Sequence, residues 1–236
     1  MKFTKFISIV LAIVFCIGML AACGGENDGT GEPSDENAPV TALEKLTYAY
    51  DYALENPYKQ HVLSTSSSTE QEGIDPVESE TVHFIDGENY YTELDGVVQT
   101  YHNGIIYVNS ELLGSKKKLA VSDDDYGQIV DQVNKMANEA INGLTEDDVT
   151  MSQTKDGYVL EYTVKITYVY EFTFRYVTTL DKNNRMIGST VTTETAYGFN
   201  YVDVITYEYG EQYSVNAPSD ADEYELVDSY LDLFRS

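Results

Sequence analysis

The clearest pattern in the chain is an alternation of apolar and polar residues between positions 158 and 180. Apolar side chains occupy nearly all the even-numbered positions, whereas Glu, Thr, Lys and Arg occupy most of the odd-numbered ones. A period of two is typical of a β-strand that buries one face. Because the segment is too long for one ordinary strand, we expect a bend, bulge or short loop near residues 165–167 to divide it.

Shorter β-prone runs flank this segment on both sides. Between residues 58 and 110 they are separated by Asp-Gly and Asn-Gly pairs, which supply the positive φ angles of tight hairpins and predict an antiparallel meander. Residues 181–185 (DKNNR) predict a hairpin turn, and strands are expected over about 186–196 and 199–209. We expect Pro218 to end the sheet region.

Helices are predicted where the apolar residues recur every three to four positions. Thr41 and Glu44 form a capping-box pattern, and the helix that they begin is expected over about 42–55, before Pro57. A second helix is expected over 123–143.

A short closing helix is expected within residues 226–234, where apolar residues again follow a helical spacing. The order of elements is therefore helix, strands, helix, strands. With no second linker in the chain, this order predicts a single α+β domain over residues 41–236.

The N-terminus has the pattern of a secretion signal. Lys2 and Lys5 precede an apolar run over 6–20, which is short for a membrane-spanning helix. The run is followed by Leu-Ala-Ala-Cys, ending at Cys23. This sequence resembles the lipobox of bacterial lipoproteins, which implies that residues 1–22 are removed and that Cys23 carries a diacylglyceryl group.

Residues 23–40 are rich in Gly, Asp, Glu, Asn and Pro and predict a flexible acidic tether behind the lipidated Cys23. Two acyl chains on one cysteine give stable membrane anchoring, whereas one chain alone is marginal. We therefore expect the lipid to hold the protein on the outer face of the cell membrane. We also expect the protein to be a monomer.

Composition narrows the possible partners. With 40 acidic and 14 basic residues, the chain has a formal charge of −26, so its surface repels nucleic-acid phosphates and no nucleic-acid partner is expected.

The only cysteines are Cys16, inside the signal, and Cys23. Disulfides and thiolate chemistry are therefore excluded from the mature domain.

The layout as a whole resembles the bacterial lipoprotein-localisation-factor fold, shared by LolA, LolB and the LppX-type lipoproteins. The resemblance covers about residues 40–225 and depends on four features: the leading helix before Pro57, the Asp-Gly and Asn-Gly meander, the helix near 125–142 and the late hairpin around DKNNR. It implies a curved antiparallel sheet, a half-barrel packed on helices, that binds acyl chains or lipoproteins in its concavity.

Candidate chemistry in the sequence favours no enzyme. His61, His83 and His102 have no metal-ligand spacing, and Ser64 and its serine neighbours lack the elbow motif of a nucleophile. Asp181 and Asn183 begin like a calcium loop, but the sixth and twelfth positions do not fit, so a hairpin turn explains them better. No catalytic residue, metal or cofactor is expected.

Lys116, Lys117 and Lys118 form the basic cluster of the domain. They could contact lipid phosphates, although a solvated loop between a strand and a helix explains them better.

The aromatic face of the predicted sheet admits two interpretations. It could be an ordinary core face covered by helices, or it could line a gap that suits an acyl chain or another apolar ligand. We predict a membrane-anchored, non-enzymatic binding protein, and the alternative is an interaction module of the cell envelope with a filled core. The residues expected to line the gap are Tyr162, Phe172, Phe174, Tyr176, Tyr201 and Ile205.

Overall fold

The structure is a computed structural model. It describes residues 39–68, 76–87, 89–94, 96–121, 139–167, 171–195 and 199–235. The expected signal, Cys23 and most of the tether lie outside the described residues. Within those residues no helix has the length and apolar character that a membrane crossing requires.

One long helix, α1, spans Ala42–Glu55, in agreement with the sequence prediction. It begins with the predicted capping box: the Glu44 amide donates to Thr41 Oγ1 at 3.2 Å, and the Thr41 amide donates to Glu44 Oε2 at 2.9 Å. Asn56 has extended backbone angles and ends the helix before Pro57. The second predicted helix, over 123–143, lies mostly outside the described residues. In its described part, residues 139–142 are helical.

Within the described residues, twelve strands form one sheet in the order β12-β6-β5-β4-β3-β2-β1-β11-β10-β9-β8-β7. All neighbours are antiparallel except β12 and β6, which pair in parallel. The predicted curved antiparallel sheet is confirmed and is large and open, whereas the predicted packing on helices is confirmed, within the described residues, for α1. The strands are β1 (Tyr58–Ser68), β2 (Val77–Asp86), β3 (Asn89–Leu94), β4 (Val97–His102), β5 (Ile105–Ser110), β6 (Ser115–Ala120), β7 (Val149–Gln153), β8 (Gly157–Thr167), β9 (Glu171–Asp181), β10 (Met186–Thr195), β11 (Phe199–Tyr209) and β12 (Glu225–Leu226).

The long alternating segment forms the antiparallel pair β8 and β9. Its division lies after Thr167, slightly later than residues 165–167, because both strands stay paired up to Thr167 and Glu171. Even-numbered residues pair with even-numbered residues, as in Tyr162 with Tyr176. The apolar side chains of both strands therefore lie on one face of the sheet.

Tight turns join the strands of the meander where the sequence predicts them. Asn103 and Gly104 both have positive φ, at 50° and 80°, which is the type I′ pattern of a two-residue hairpin. Gly87 and Gly96 also have positive φ in the Asp-Gly pairs. In the turn after β9, the Asp181 carboxylate accepts from the amides of Asn183 and Arg185 at 2.8 and 2.9 Å, which supports the hairpin interpretation.

We call the inner face the side of the sheet that carries Tyr58, Val62 and Ile85 on β1 and β2 and continues through Ile205 on β11 and Tyr162 on β8. Among the described residues, two separate hydrophobic clusters cover it. One joins α1 to β1, β2 and β7–β11, and the other joins β5 and β6 to the C-terminal 3₁₀ turn at Tyr230–Phe234.

Three predictions about the later chain need correction. Pro218 does not end the sheet region, because β11 ends at Tyr209 and β12 follows Pro218. The closing helix is a 3₁₀ turn over Tyr230–Phe234 only. The solvated loop predicted for Lys116, Lys117 and Lys118 is wrong, because all three lie in β6 and bind the C-terminal segment.

Candidate functional site

The six residues predicted to line a ligand gap all belong to strands β8, β9 and β11. Tyr162, Phe174, Tyr176 and Ile205 are buried in the cluster beneath α1. Phe172 is half-buried against the same cluster, and Tyr201 is also half-buried. The structure therefore brings most of the predicted residues into the core.

Tyr162 and Tyr176 form the centre of this aromatic surface. They are direct cross-strand partners, and their rings stack at a centroid distance of 4.7 Å with an interplanar angle of 5°. Cross-strand aromatic pairs stabilise a sheet beyond the area that they bury.

A chain of buried hydroxyl groups crosses the sheet beneath α1. The hydroxyl groups of Tyr50 and Tyr162 lie 2.7 Å apart, Tyr162 and Thr178 are 3.4 Å apart, and Thr178 and Ser189 are 3.1 Å apart. Burial raises the pKa of Tyr162 to about 12 and that of Tyr50 well above its ordinary value. The four hydroxyl groups of this chain are therefore uncharged at neutral pH.

A cavity lies between α1 and residues 141–144. Its volume is about 100 Å³, and its lining includes Tyr50, so the hydroxyl chain begins at the cavity wall. Ligand pockets for drug-sized molecules have volumes of roughly 300 Å³ or more, so this cavity is too small for such a ligand in its present form. The lining residues are Leu43, Leu46, Thr47, Tyr50, Ile141, Asn142 and Leu144.

Between the two hydrophobic clusters, the inner face carries a line of polar side chains that we call the polar row: Gln60, His83, Thr92 and Gln99. Each is the direct cross-strand partner of the next, on β1, β2, β3 and β4. Their exposed fractions are 2%, 3%, 3% and 8%. Sequence reasoning missed this row because the register of four strands creates it.

Three atoms of the polar row lack a hydrogen-bond partner within the described part of the chain: Gln60 Oε1, His83 Nδ1 and Thr92 Oγ1. Gln99 differs, because its Nε2 donates to the Tyr90 hydroxyl. Burial lowers the pKa of His83 to about 4, so its ring is neutral at pH 7. Buried polar atoms without partners are uncommon and costly, by about 1–3 kcal/mol each.

The other residues considered for chemistry have structural partners. Ser64 Oγ donates to Asp203 Oδ1 at 2.5 Å, and burial raises the pKa of that carboxyl. His61 Nε2 lies 2.5 Å from Glu80 Oε1 on the exposed side of β1 and β2. Among the described residues, no group of three or more His, Cys, Asp or Glu side chains could hold a metal ion.

The chain was compared with known protein families, curated proteins and solved structures. No family model matches it, and no curated protein matches it. Solved structures that resemble this one include the LolA superfamily protein NE2245 from Nitrosomonas europaea, at 14% identity and a TM-score of 0.34 over 79% of this chain and 98% of that chain. They also include LprF from Mycobacterium bovis, at 13% identity and a TM-score of 0.36 over 80% of this chain and 99% of that chain. A DUF1329 family protein from Desulfovibrio piger aligns at 12% identity and a TM-score of 0.32 over 84% of this chain and 100% of that chain.

Proposed function

We propose that this chain is a non-enzymatic, membrane-anchored binding protein that shelters a lipid or another apolar ligand between the inner face of its sheet and the elements that cover it. The lipid on Cys23 and the tether over 23–40 would hold the domain at the outer face of the membrane. The expected partners are the membrane and the ligand, with the protein as a monomer.

The single observation that carries this proposal is the cavity between α1 and residues 141–144. Its walls include apolar side chains such as Leu43, Leu46 and Ile141 together with the hydroxyl-bearing Tyr50. Apolar walls with a few placed polar groups are typical of ligand pockets. Since the volume is about 100 Å³, an acyl chain would enter only when residues 141–144 separate from α1.

A second function is favoured by a different observation on the opposite face. Leu63, Val177, Val202 and Val204 are each exposed by 37–47%, and Leu63 and Val204 are direct cross-strand partners on β1 and β11. Exposed apolar clusters mark surfaces that bind other proteins. If the inner face is filled, this surface supports the alternative of an envelope interaction module.

Extraction of bound lipid tests the proposal. The full chain is purified from membranes, extracted with organic solvent and analysed by mass spectrometry, and binding of a fluorescent fatty acid is measured in parallel. We expect co-purifying lipid, reduced by Leu43→Trp, which fills the cavity. The matched control is Leu54→Trp, since Leu54 is half-buried on the same helix and does not line the cavity.

The outcomes separate the two functions. Loss of lipid in Leu43→Trp but not in Leu54→Trp supports the inner-face site. Absence of co-purifying lipid together with no fatty-acid binding by the unchanged chain refutes apolar-ligand binding and favours the interaction module.

A further inference from the structure

The polar row places polar atoms where a ligand on the inner face could form hydrogen bonds. Directly opposed side chains on neighbouring antiparallel strands have Cβ atoms about 5 Å apart. Gln60, His83 and Thr92 are opposed in this way across β1, β2 and β3. Their three unpartnered atoms, counted within the described residues, therefore lie close enough to contact one small polar group.

The chemistry of the row favours an uncharged group. Gln60 Oε1 can only accept a hydrogen bond, Thr92 Oγ1 can donate and accept, and a neutral imidazole nitrogen does one or the other. None of these side chains carries a charge that would offset a buried phosphate or carboxylate. A hydroxyl group both donates and accepts, so adjacent hydroxyls of a polyol match this set.

The polar row and the cavity at α1 have a common neighbour, Tyr207 on β11. Gln60 is the cross-strand partner of Tyr207, and Tyr207 interacts electrostatically with Tyr50 in the cavity wall. A ligand whose chain entered at α1 could therefore extend its polar end along the inner face towards β2 and β3.

We propose that the polar row binds the uncharged, hydroxyl-bearing end of an apolar ligand, a glycerol-type group rather than a phosphate or a carboxylate. The assignment rests on the proposed function and specifies its ligand class. Gln60 Oε1 accepts from one hydroxyl, while Thr92 Oγ1 and His83 Nδ1 bind the next.

Two probes that differ in their hydroxyl groups test this assignment. The full chain is placed in phosphatidylcholine nanodiscs, whose lipid has no free hydroxyl, and binding of 1-monooleoylglycerol is compared with binding of methyl oleate. Since a net hydrogen bond contributes about 0.5–1.5 kcal/mol and 1.4 kcal/mol is tenfold, we expect a preference of roughly tenfold for monooleoylglycerol. The ¹⁵N shift of His83 Nδ1 is followed in the same samples and should change when that probe binds.

Single substitutions in the row should abolish the preference without abolishing binding. Thr92→Val and Gln60→Leu each remove a polar atom that has no partner among the described residues, so neither removes a described contact. Thr65→Val is the matched control, because Thr65 pairs with the exposed Val202 on the opposite face of the sheet. Thermal unfolding of each variant verifies that it is folded.

Each result decides the assignment. A preference lost in Thr92→Val and Gln60→Leu but kept in Thr65→Val supports it. Three results overturn it: equal binding of both probes, a preference that survives both substitutions, or an unchanged His83 Nδ1 shift. Each would indicate that water molecules bind the polar row, while the proposal of apolar-ligand binding stands. If neither probe binds, the proposed function fails as well.

Discussion

Tyr50 on α1 and Tyr162 on β8 share a hydrogen bond of 2.7 Å between their hydroxyl groups, although 112 positions separate them in the chain. The bond is buried and ties the helix to the sheet at the wall of the cavity. Tyr162 also reaches Thr178, whereas Tyr50, within the described part of the chain, joins the hydroxyl chain through Tyr162 alone. The two tyrosines therefore have different consequences for stability.

We predict that Tyr162→Phe lowers the free energy of unfolding by about 1–3 kcal/mol, because it leaves the buried Tyr50 hydroxyl without its partner in the hydroxyl chain, whereas Thr178 keeps Ser189. Tyr50→Phe should cost less, about 0.5–1.5 kcal/mol, since Tyr162 keeps its contact with Thr178. Urea unfolding of the full chain measures both values. Equal losses would show that the hydroxyl chain does not act as described.

Burial of His83 predicts a loss of stability in mild acid. Below pH 6.5 the unfolded chain takes up a proton on this ring, but the folded chain does not until its pKa of about 4. The unfolded state therefore binds more protons in this window, and the free energy of unfolding falls by roughly 2 kcal/mol between pH 7 and pH 5. His83→Phe should flatten this slope.

The window from pH 7 to pH 5 avoids the carboxyl groups with lowered pKa, such as Glu44 and Asp148, which titrate in stronger acid. His61→Asn is the control, because His61 is only half-buried and lies on the other face of the sheet. A slope that persists in His83→Phe and disappears in His61→Asn would contradict the assignment.

The lysines of β6 hold the C-terminal segment against the sheet. Lys116 Nζ contacts Asp220 and donates to Glu223 at 2.7 Å, and Lys118 Nζ donates to the Ala221 carbonyl at 2.9 Å. The two carboxylates raise the pKa of Lys116, so its ammonium group stays charged at any physiological pH.

Lys116→Met should therefore loosen this segment. Amide hydrogen exchange at Val227, whose N–H donates to the Lys118 carbonyl at 2.9 Å, should become faster. Lys155→Met is the matched control, because Lys155 lies in an exposed turn with a long ion pair to Asp156. Unchanged exchange at Val227 in Lys116→Met would show that the backbone pairing alone holds the segment.

Gly157 is the first residue of β8, and its backbone lies close to the end of β9. A Cβ atom at this position would lie 2.0 Å from the Leu180 carbonyl oxygen, and φ is 154°. We predict that Gly157→Ala destabilises the protein by more than about 1 kcal/mol, measured by urea unfolding. Gly188→Ala on β10 should be tolerated better, because its Cβ would have its nearest contact at 3.5 Å.

The sequence predicts the elements whose signals are local. The capping box of Thr41 and Glu44 marks the start of α1, and the Asn-Gly pair at 103–104 marks a hairpin. The even-numbered apolar face also follows from the sequence, because antiparallel pairing preserves its parity across β8 and β9.

The features that the sequence does not predict depend on distant partners. The sequence around Lys116 predicts a solvated side chain, because its partners Asp220 and Glu223 follow more than 100 positions later. The polar row appears only when four strands come into register, since Gln60 and His83 each lie alone in a β-prone run. The size of the cavity likewise depends on how α1 meets residues 141–144.

Photo-crosslinking tests the central claim, that an apolar ligand lies on the inner face of the sheet. The full chain in phosphatidylcholine nanodiscs is irradiated with a monoacylglycerol whose acyl chain carries a diazirine near its methyl end, and labelled peptides are identified by mass spectrometry. We predict labels at cavity residues such as Leu46, Tyr50 and Ile141. Labels confined to the outer face at Leu63, Val202 and Val204, or no light-dependent label in the domain, would contradict the claim.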